Sequence, residues 1–225
     1  MKPKNPYHEH SKLSAGKFRQ LARFFAMDLS ATDVARLTGL TRKTVTVLFL
    51  KMRKRIAHDC ERNSPLADTL GINKCGGEDL SPKDKCGRGV TGATLVVGVF
   101  KRDGKFYTEL IPEGMAATLR AMIHGRIAPQ AVLHSDGWRG YDALIDIAHA
   151  KHFRVSLVAE QSAKRKQSLN GTESFWSFTK RRLHKFNGVP AHTAYLHLKE
   201  CEWRFNLRHR DVYAELLRLL RAQPL

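Results

Sequence analysis

The run Thr94-Leu95-Val96-Val97-Gly98-Val99-Phe100 carries no charge, and soon after it Asp103-Gly104 precedes a second strand-like stretch from Phe106 to Ile111. Strand, Asp-Gly turn and strand in this order predict an antiparallel hairpin, because Asp-Gly tolerates the positive backbone angles of a two-residue turn. The pattern then alternates. A helix is expected from about Met115 to His124, followed by a short apolar strand, Ala131-Val132-Leu133, that ends in His134-Ser135-Asp136. A helix at about 139–149 and a strand at 152–157 complete this stretch. Strands followed by alternating helix and strand predict an α/β unit, a mixed sheet with flanking helices.

On either side of this unit the periodicity is helical. Phe18, Leu21 and Phe25 share one helical face, and Val45, Leu48, Phe49, Met52 and Ile56 mark another. A polar, basic segment over 159–170, containing Lys164-Arg165-Lys166, reads as a mobile loop. Gly171 to Lys185 reads as one helix, with Glu173 at its start, and Pro190 is suited to the first position of the next. Ala194, Leu198, Cys201 and Phe205 line one face of that second helix, and Val212, Leu216 and Leu220 predict a last short one. The expected organisation is a small all-α domain over 1–60, the α/β domain over 61–210 and a C-terminal helix over 211–225.

Composition narrows the class of partner. The chain of 225 residues has 39 Lys+Arg against 21 Asp+Glu, a formal charge of +18, which creates a broad positive field that attracts a polyanion. Cys60, Cys75, Cys86 and Cys201 form no C-x-x-C pair, which argues against a zinc ribbon and fits reduced thiols. No apolar run reaches the roughly 18 residues of a membrane span, and the polar start lacks a signal peptide's apolar segment. A soluble, cytoplasmic, nucleoid-associated bacterial protein with no membrane partner is expected.

Between the two helical stripes of the N-terminal region lies a short helix with its own start and stop signals. Ser30 can cap it with Asp33 three residues on, Gly39 supplies the turn, and Thr41 caps the next helix. Ala35 permits close approach of the two helices and Val45 packs the second onto the first. This layout resembles the helix-turn-helix of many bacterial DNA-binding proteins. The second helix then presents Arg42, Lys43, Thr46 and Lys54 where a major groove would lie, and Lys51, Arg53, Lys54 and Arg55 are candidates for phosphate contacts.

Two acids stand out in the α/β region. Asp136 follows a strand end, a common location for active-site residues in open α/β sheets, and Glu173 sits near a helix start. Their surroundings are His134-Ser135-Asp136-Gly137-Trp138-Arg139-Gly140-Tyr141, Leu169-Asn170-Gly171-Thr172-Glu173-Ser174-Phe175-Trp176 and Lys180-Arg181-Arg182-Leu183-His184-Lys185-Phe186-Asn187-Gly188. Together with Leu198-Lys199-Glu200-Cys201-Glu202-Trp203-Arg204-Phe205-Asn206, they resemble a small ISXO-like group of DDE insertion-sequence transposases, from about residue 88 to 207. The resemblance implies a ribonuclease-H-like fold. It also implies that Asp136 and Glu173 are the second and third metal-binding acids and Lys180 the basic residue two helical turns beyond. Two Mg2+ or Mn2+ ions are the implied cofactors. Arg181, Arg182 and Lys185 would grip the DNA backbone. The implied partners are double-stranded DNA, as terminal inverted repeats and target, and further copies of the chain.

One position departs from the family pattern. The first acid belongs at the end of the first sheet strand, and the matching stretch Leu70-Gly71-Ile72-Asn73-Lys74-Cys75-Gly76-Gly77 has Asn73 in its place. An amide offers a carbonyl oxygen but no charge, so the loss weakens metal binding and phosphoryl transfer. Asp68, Glu78 and Asp79 are nearby acids outside the family position, and the segment is poor in β-branched residues, as expected of a degraded strand. The readings that follow are a magnesium-dependent transposase, in full or decayed form, a non-catalytic DNA-binding remnant or repressor-like derivative, and a basic structural nucleic-acid protein.

Overall fold

The computed structural model describes residues 5–62, 67–75, 95–102, 105–111, 127–135, 151–154, 163–186 and 189–225. The helices expected near 115–124 and 139–149 lie outside these residues, as do Asp136, Glu78 and Asp79. In chain order the elements are α1 (Ala15–Ala26), α2 (Ala31–Thr38), α3 (Arg42–Arg62), β1 (Ala67–Cys75), β2 (Leu95–Arg102) and β3 (Lys105–Ile111). They continue with β4 (Ile127–Ser135), β5 (Lys151–Arg154), α4 (Ala163–His184), α5 (Ala191–Asn206) and α6 (Val212–Ala222). The chain divides into two units, Met1–Arg62 with Asn206–Leu225, and Asn63–Phe205. Helix α6, read from the sequence as a segment of its own, belongs to the first unit.

The first unit is built on the apolar stripes its sequence displays. Phe18, Leu21 and Phe25 of α1 are buried, as are Val45, Leu48, Phe49, Met52 and Ile56 of α3. Each such side chain contributes roughly 1.5–3 kcal/mol by leaving water. Phe25 and Phe49 meet edge to face, ring centroids 5.0 Å apart, which ties α1 to α3. Leu216, Leu219 and Leu220 are buried on α6, whose start is capped by the Asp211 carboxylate accepting from the Tyr213 and Ala214 amides. The two ends of the unit are clasped. Leu225 donates its N–H to the Tyr7 carbonyl at 2.9 Å and accepts from Glu9 at 3.1 Å. Tyr7 is buried, stacks on Phe18, and receives a hydrogen bond from Arg221 on its hydroxyl.

The second unit holds a five-stranded sheet in the order β3-β2-β1-β4-β5. β2 and β3 pair antiparallel out to Arg102↔Lys105, as the expected hairpin requires, while its Asp103-Gly104 turn lies outside the described residues. β1 pairs antiparallel with β2 and parallel with β4, and β4 pairs parallel with β5, so the sheet is mixed. The first strand, expected to be degraded, forms over Ala67–Cys75. β4 is longer than its apolar kernel predicts, and its register with β1 breaks between Ala67↔Ile127 and Thr69↔Val132. Pro129 lies in that interval and has no N–H to give to a ladder.

Helices α4 and α5 pack together with edge strand β3. Phe106 of β3 stacks on Phe175 of α4, and both meet Phe205 of α5 edge to face, with centroids 5.1–5.6 Å apart. The sheet edge is also closed by polar side chains. The Glu202 carboxylate accepts from the Thr108 amide and hydroxyl, each at 2.7 Å, while Lys199 donates to the Thr108 carbonyl at 2.6 Å. Lys199 and Glu202 are themselves paired at 3.0 Å and buried. Two side chains of α5 thus satisfy backbone groups that an edge strand otherwise leaves open.

One boundary differs from the sequence expectation. The segment read as a loop over 159–170 is helical from Ala163, so Glu173 lies well inside α4 instead of at its start. Ala, Lys, Arg, Gln and Leu dominate Ala163–Leu169, and all favour helix. Charge density concealed that propensity.

Candidate nucleic-acid interface

The surface that carries most of the predicted DNA contacts is set by the turn between α2 and α3. Ser30 Oγ accepts from the Asp33 amide at 3.2 Å and donates to its carboxylate at 2.6 Å, which fixes the start of α2. Thr38, buried at the other end, donates its hydroxyl to the Val34 carbonyl at 2.6 Å. Gly39 then adopts φ +70° and returns its N–H to the Ala35 carbonyl at 3.0 Å, a left-handed helix stop. Thr41 Oγ1 accepts from the Thr44 amide at 3.2 Å and starts α3. Val34 and Val45 are both fully buried.

With Val45, Leu48, Phe49, Met52 and Ile56 turned inward, Arg42, Lys43, Thr46, Lys51 and Lys54 remain exposed on α3. Lys43, Val47, Lys51 and Lys54 succeed one another by four, four and three positions and so form a row on the side away from the core. Val47 is 47% exposed. The first turn of α3 carries cations and no acid, although the unpaired N–H groups of a helix start favour negative charge there. Lys51 also meets His8, its Nζ 2.9 Å from Nε2. Burial first, and the Lys51 charge second, hold the His8 imidazole below its ordinary value of 6.5.

Arg53 and Arg55 are placed otherwise than expected. Arg53 is 9% exposed and lies over the rings of Phe25 and Phe49 at 5.7 and 5.9 Å. Arg55 donates to the Pro224 carbonyl. The aliphatic stem of arginine packs well against aromatic rings, so cationic residues on a helix need not face solvent.

In the second unit the basic cluster at the end of α4 divides in the same way. Lys180, Arg181 and Lys185 are exposed. Arg182, expected to grip DNA with them, is 6% exposed and reaches the Glu200 carboxylate at 2.6 Å. Glu200 also accepts from Arg204 at 2.8 Å, and Arg182 donates to Cys201 Sγ at 3.3 Å. Glu173 lies on the backbone row of α4 that continues through Ser177 to Lys180, both exposed.

Asn73 occupies the C-terminal half of β1, opposite Val97 on β2. On its other side β1 runs parallel to β4 with Ile72 opposite Ser135. The residues that follow this pair in the chain are Asn73 and Asp136.

Sequence reasoning missed three features of this surface: the inward burial of Arg53 and Arg182, and the exposure of Val47. The last was detectable, because Val47 falls outside the 45/48/49/52/56 stripe. The first two required partners that are not local in sequence. Among the described residues no group of three His, Cys, Asp or Glu is placed to hold a metal, and no helix is long and apolar enough to cross a membrane.

Comparison with known proteins follows the same residues. The ISXO2-like transposase domain family matches residues 71–206. A transposase-like protein of Haemophilus influenzae is 40% identical over 102 residues, covering 45% of this chain and 81% of the relative. Among solved structures, a pre-cleavage Mos1 transpososome aligns at 12% identity and a TM-score of 0.26, covering 88% of this chain and 81% of its own. A Mos1 strand transfer complex aligns at 14% and 0.27, covering 86% and 81%. The family match spans more than half of the chain, and the chain belongs to the ISXO2-like transposases.

Proposed function

We propose that this transposase binds the ends of a mobile DNA element through α3 and uses its α/β unit for strand cleavage and transfer, with the cutting site weakened at Asn73. The observation that carries the reading is the exposed cationic row of α3, held away from the core by the Gly39 turn in a chain of charge +18. Arg42 and Lys43 in the first turn create a repulsion that a phosphate relieves. Arg42, Lys43, Thr46, Lys51 and Lys54 are then the end-binding set, and Lys180, Arg181 and Lys185 hold backbone near the cut. Arg53 and Arg182 serve the core instead.

The sheet order, with β1 flanked by an antiparallel hairpin on one side and parallel strands on the other, supports a ribonuclease-H-like unit. In that reading Asn73, Asp136 and Glu173 share the site. Two carboxylates and an amide oxygen are a hard-oxygen donor set that suits Mg2+ or Mn2+. When bound, such ions supply charge neutralisation at the scissile phosphate and lower the pKa of the attacking hydroxyl. Asp136 and Glu173 would hold them, Asn73 would contribute an uncharged oxygen, and Lys180 would orient a phosphate. A homo-oligomer on paired ends belongs to the same proposal.

Cleavage of end-containing duplex in Mg2+ or Mn2+, abolished by Asp136→Ala, is the result expected. Retention of duplex in gel shifts without any cutting would replace this reading with a second one, which Asn73 specifically favours: a DNA-binding derivative that has lost catalysis.

A further inference from the structure

Three large apolar side chains are exposed among the described residues, Met27, Leu37 and Val47, and only Val47 lies within the cationic row of α3. Its neighbours on that row, Lys43 four residues before and Lys51 four residues after, are exposed cations. Thr46, beside it in sequence, is exposed as well. The apolar face of α3 is complete without it: Val45, Leu48, Phe49, Met52 and Ile56 are all buried. A β-branched residue is also a weaker helix former than the lysines around it, so its local propensity does not account for it. An apolar group ringed by phosphate-binding cations fits a surface that is apolar in one place and anionic around it. The major groove offers such a surface at the 5-methyl group of thymine.

Resting on the proposal that α3 reads DNA, we propose that Val47 determines sequence specificity by packing on the 5-methyl group of one thymine in the recognised site. Lys43 and Lys51 carry no base preference of their own in this arrangement; they fix the register of α3 on the phosphates so that Val47 meets one base step. The contact removes about one methyl group from water on each partner.

The test uses the full chain and a duplex pool with a randomised core. Duplexes retained by the wild-type protein are resynthesised with each thymine replaced in turn by deoxyuridine, which deletes only the methyl group. One position is expected to weaken wild-type binding by about three- to five-fold, the scale of one buried methyl group. Val47→Ala, at an exposed position where alanine favours the helix, is expected to bind thymine and deoxyuridine equally there. Equal discrimination by wild type and V47A, or wild-type indifference to deoxyuridine at every position, would overturn the role of Val47 while leaving DNA binding intact. Failure to retain any duplex would instead overturn the DNA-binding reading on which it rests.

Discussion

Arg182 of α4 and Glu200 of α5 form an ion pair at 2.6 Å with side chains only 3% and 0% exposed, and the same carboxylate oxygen also receives Arg204. Removing the carboxylate takes the counter-charge from two buried guanidinium groups, which costs about 3–5 kcal/mol in such settings, while removing Arg182 leaves the carboxylate to Arg204 alone. Arg182→Ala and Glu200→Gln are therefore expected to lower the midpoint of denaturant unfolding sharply. Arg181→Ala, at the exposed neighbouring position, is expected to shift stability by less than about 0.5 kcal/mol. Similar midpoints for R182A and R181A would show that the Arg182–Glu200 pair contributes nothing to stability.

If the proposed cutting site is correct, placing an acid at residue 73 should strengthen it. In Asn73→Asp the added charge is expected to raise metal affinity by more than the roughly 10–100-fold that outer-shell partners usually contribute. Strand cleavage at limiting Mg2+ should rise with it, and adding Asp136→Ala should abolish the gain. Cleavage by N73D that survives D136A would show that the site is built from other residues.

The exposed and the buried cations of α3 predict opposite signatures. Arg42→Ala and Lys43→Ala should each reduce the slope of log affinity against log salt by about 0.9, the value for one phosphate contact released. Arg53→Ala should leave that slope unchanged in the protein that remains folded while lowering thermal stability, because its guanidinium lies over Phe25 and Phe49. Salt titration of binding, paired with thermal melts, separates the two outcomes.

Gly39 makes a prediction about backbone alone. A Cβ at this position meets nothing within 4 Å, yet φ is +70°. Gly39→Ala should therefore lose about 1–2 kcal/mol from left-handed strain without any steric clash. Gly39→Asn should lose less, since asparagine tolerates this region. Equal losses for the two variants, measured by chemical unfolding, would argue against strain as the cause.

His8 gives the N-terminal unit a pH dependence of defined sign. Its folded pKa is depressed, so as pH falls through about 6.5 the unfolded chain takes up a proton that the folded chain resists. Folding loses free energy from there down to the lower folded value and is unaffected above. His8→Gln should remove this part of the acid sensitivity, and Lys51→Met should raise the His8 pKa as followed by NMR. A His8 resonance that titrates above 6.5 in the wild type would reverse the sign.

What the sequence made legible is local. Ser30, Gly39 and Thr41 announce the α2–α3 turn because capping and left-handed backbone depend on residues within four positions. The antiparallel pairing of β2 with β3 was likewise local, between two strand-like stretches adjacent in sequence. Arg53 and Arg182 were not, because whether an arginine faces water or a ring is decided by partners distant in sequence, Phe25 for one and Glu200 for the other. The start of α4 at Ala163 was obscured because lysine and arginine signal both solvent exposure and helix. At the proposed cutting site, Asn73 is singled out in the sequence by its place before Gly76-Gly77, while the alignment of β1 with β4 emerged only from strand pairing.

The clasp of Leu225 on Tyr7 and the packing of α6 against α1 make the helical unit discontinuous in the chain, with the whole α/β unit inserted between its two parts. During synthesis α1 and α3 emerge first but have no α6 to pack against until the sheet and both of its long helices have been made. An interruption anywhere in the middle therefore disables both halves together. A copy truncated before α6 lacks Leu216, Leu219 and Leu220, which are buried in the helical unit, and so carries an N-terminal part without its closing helix.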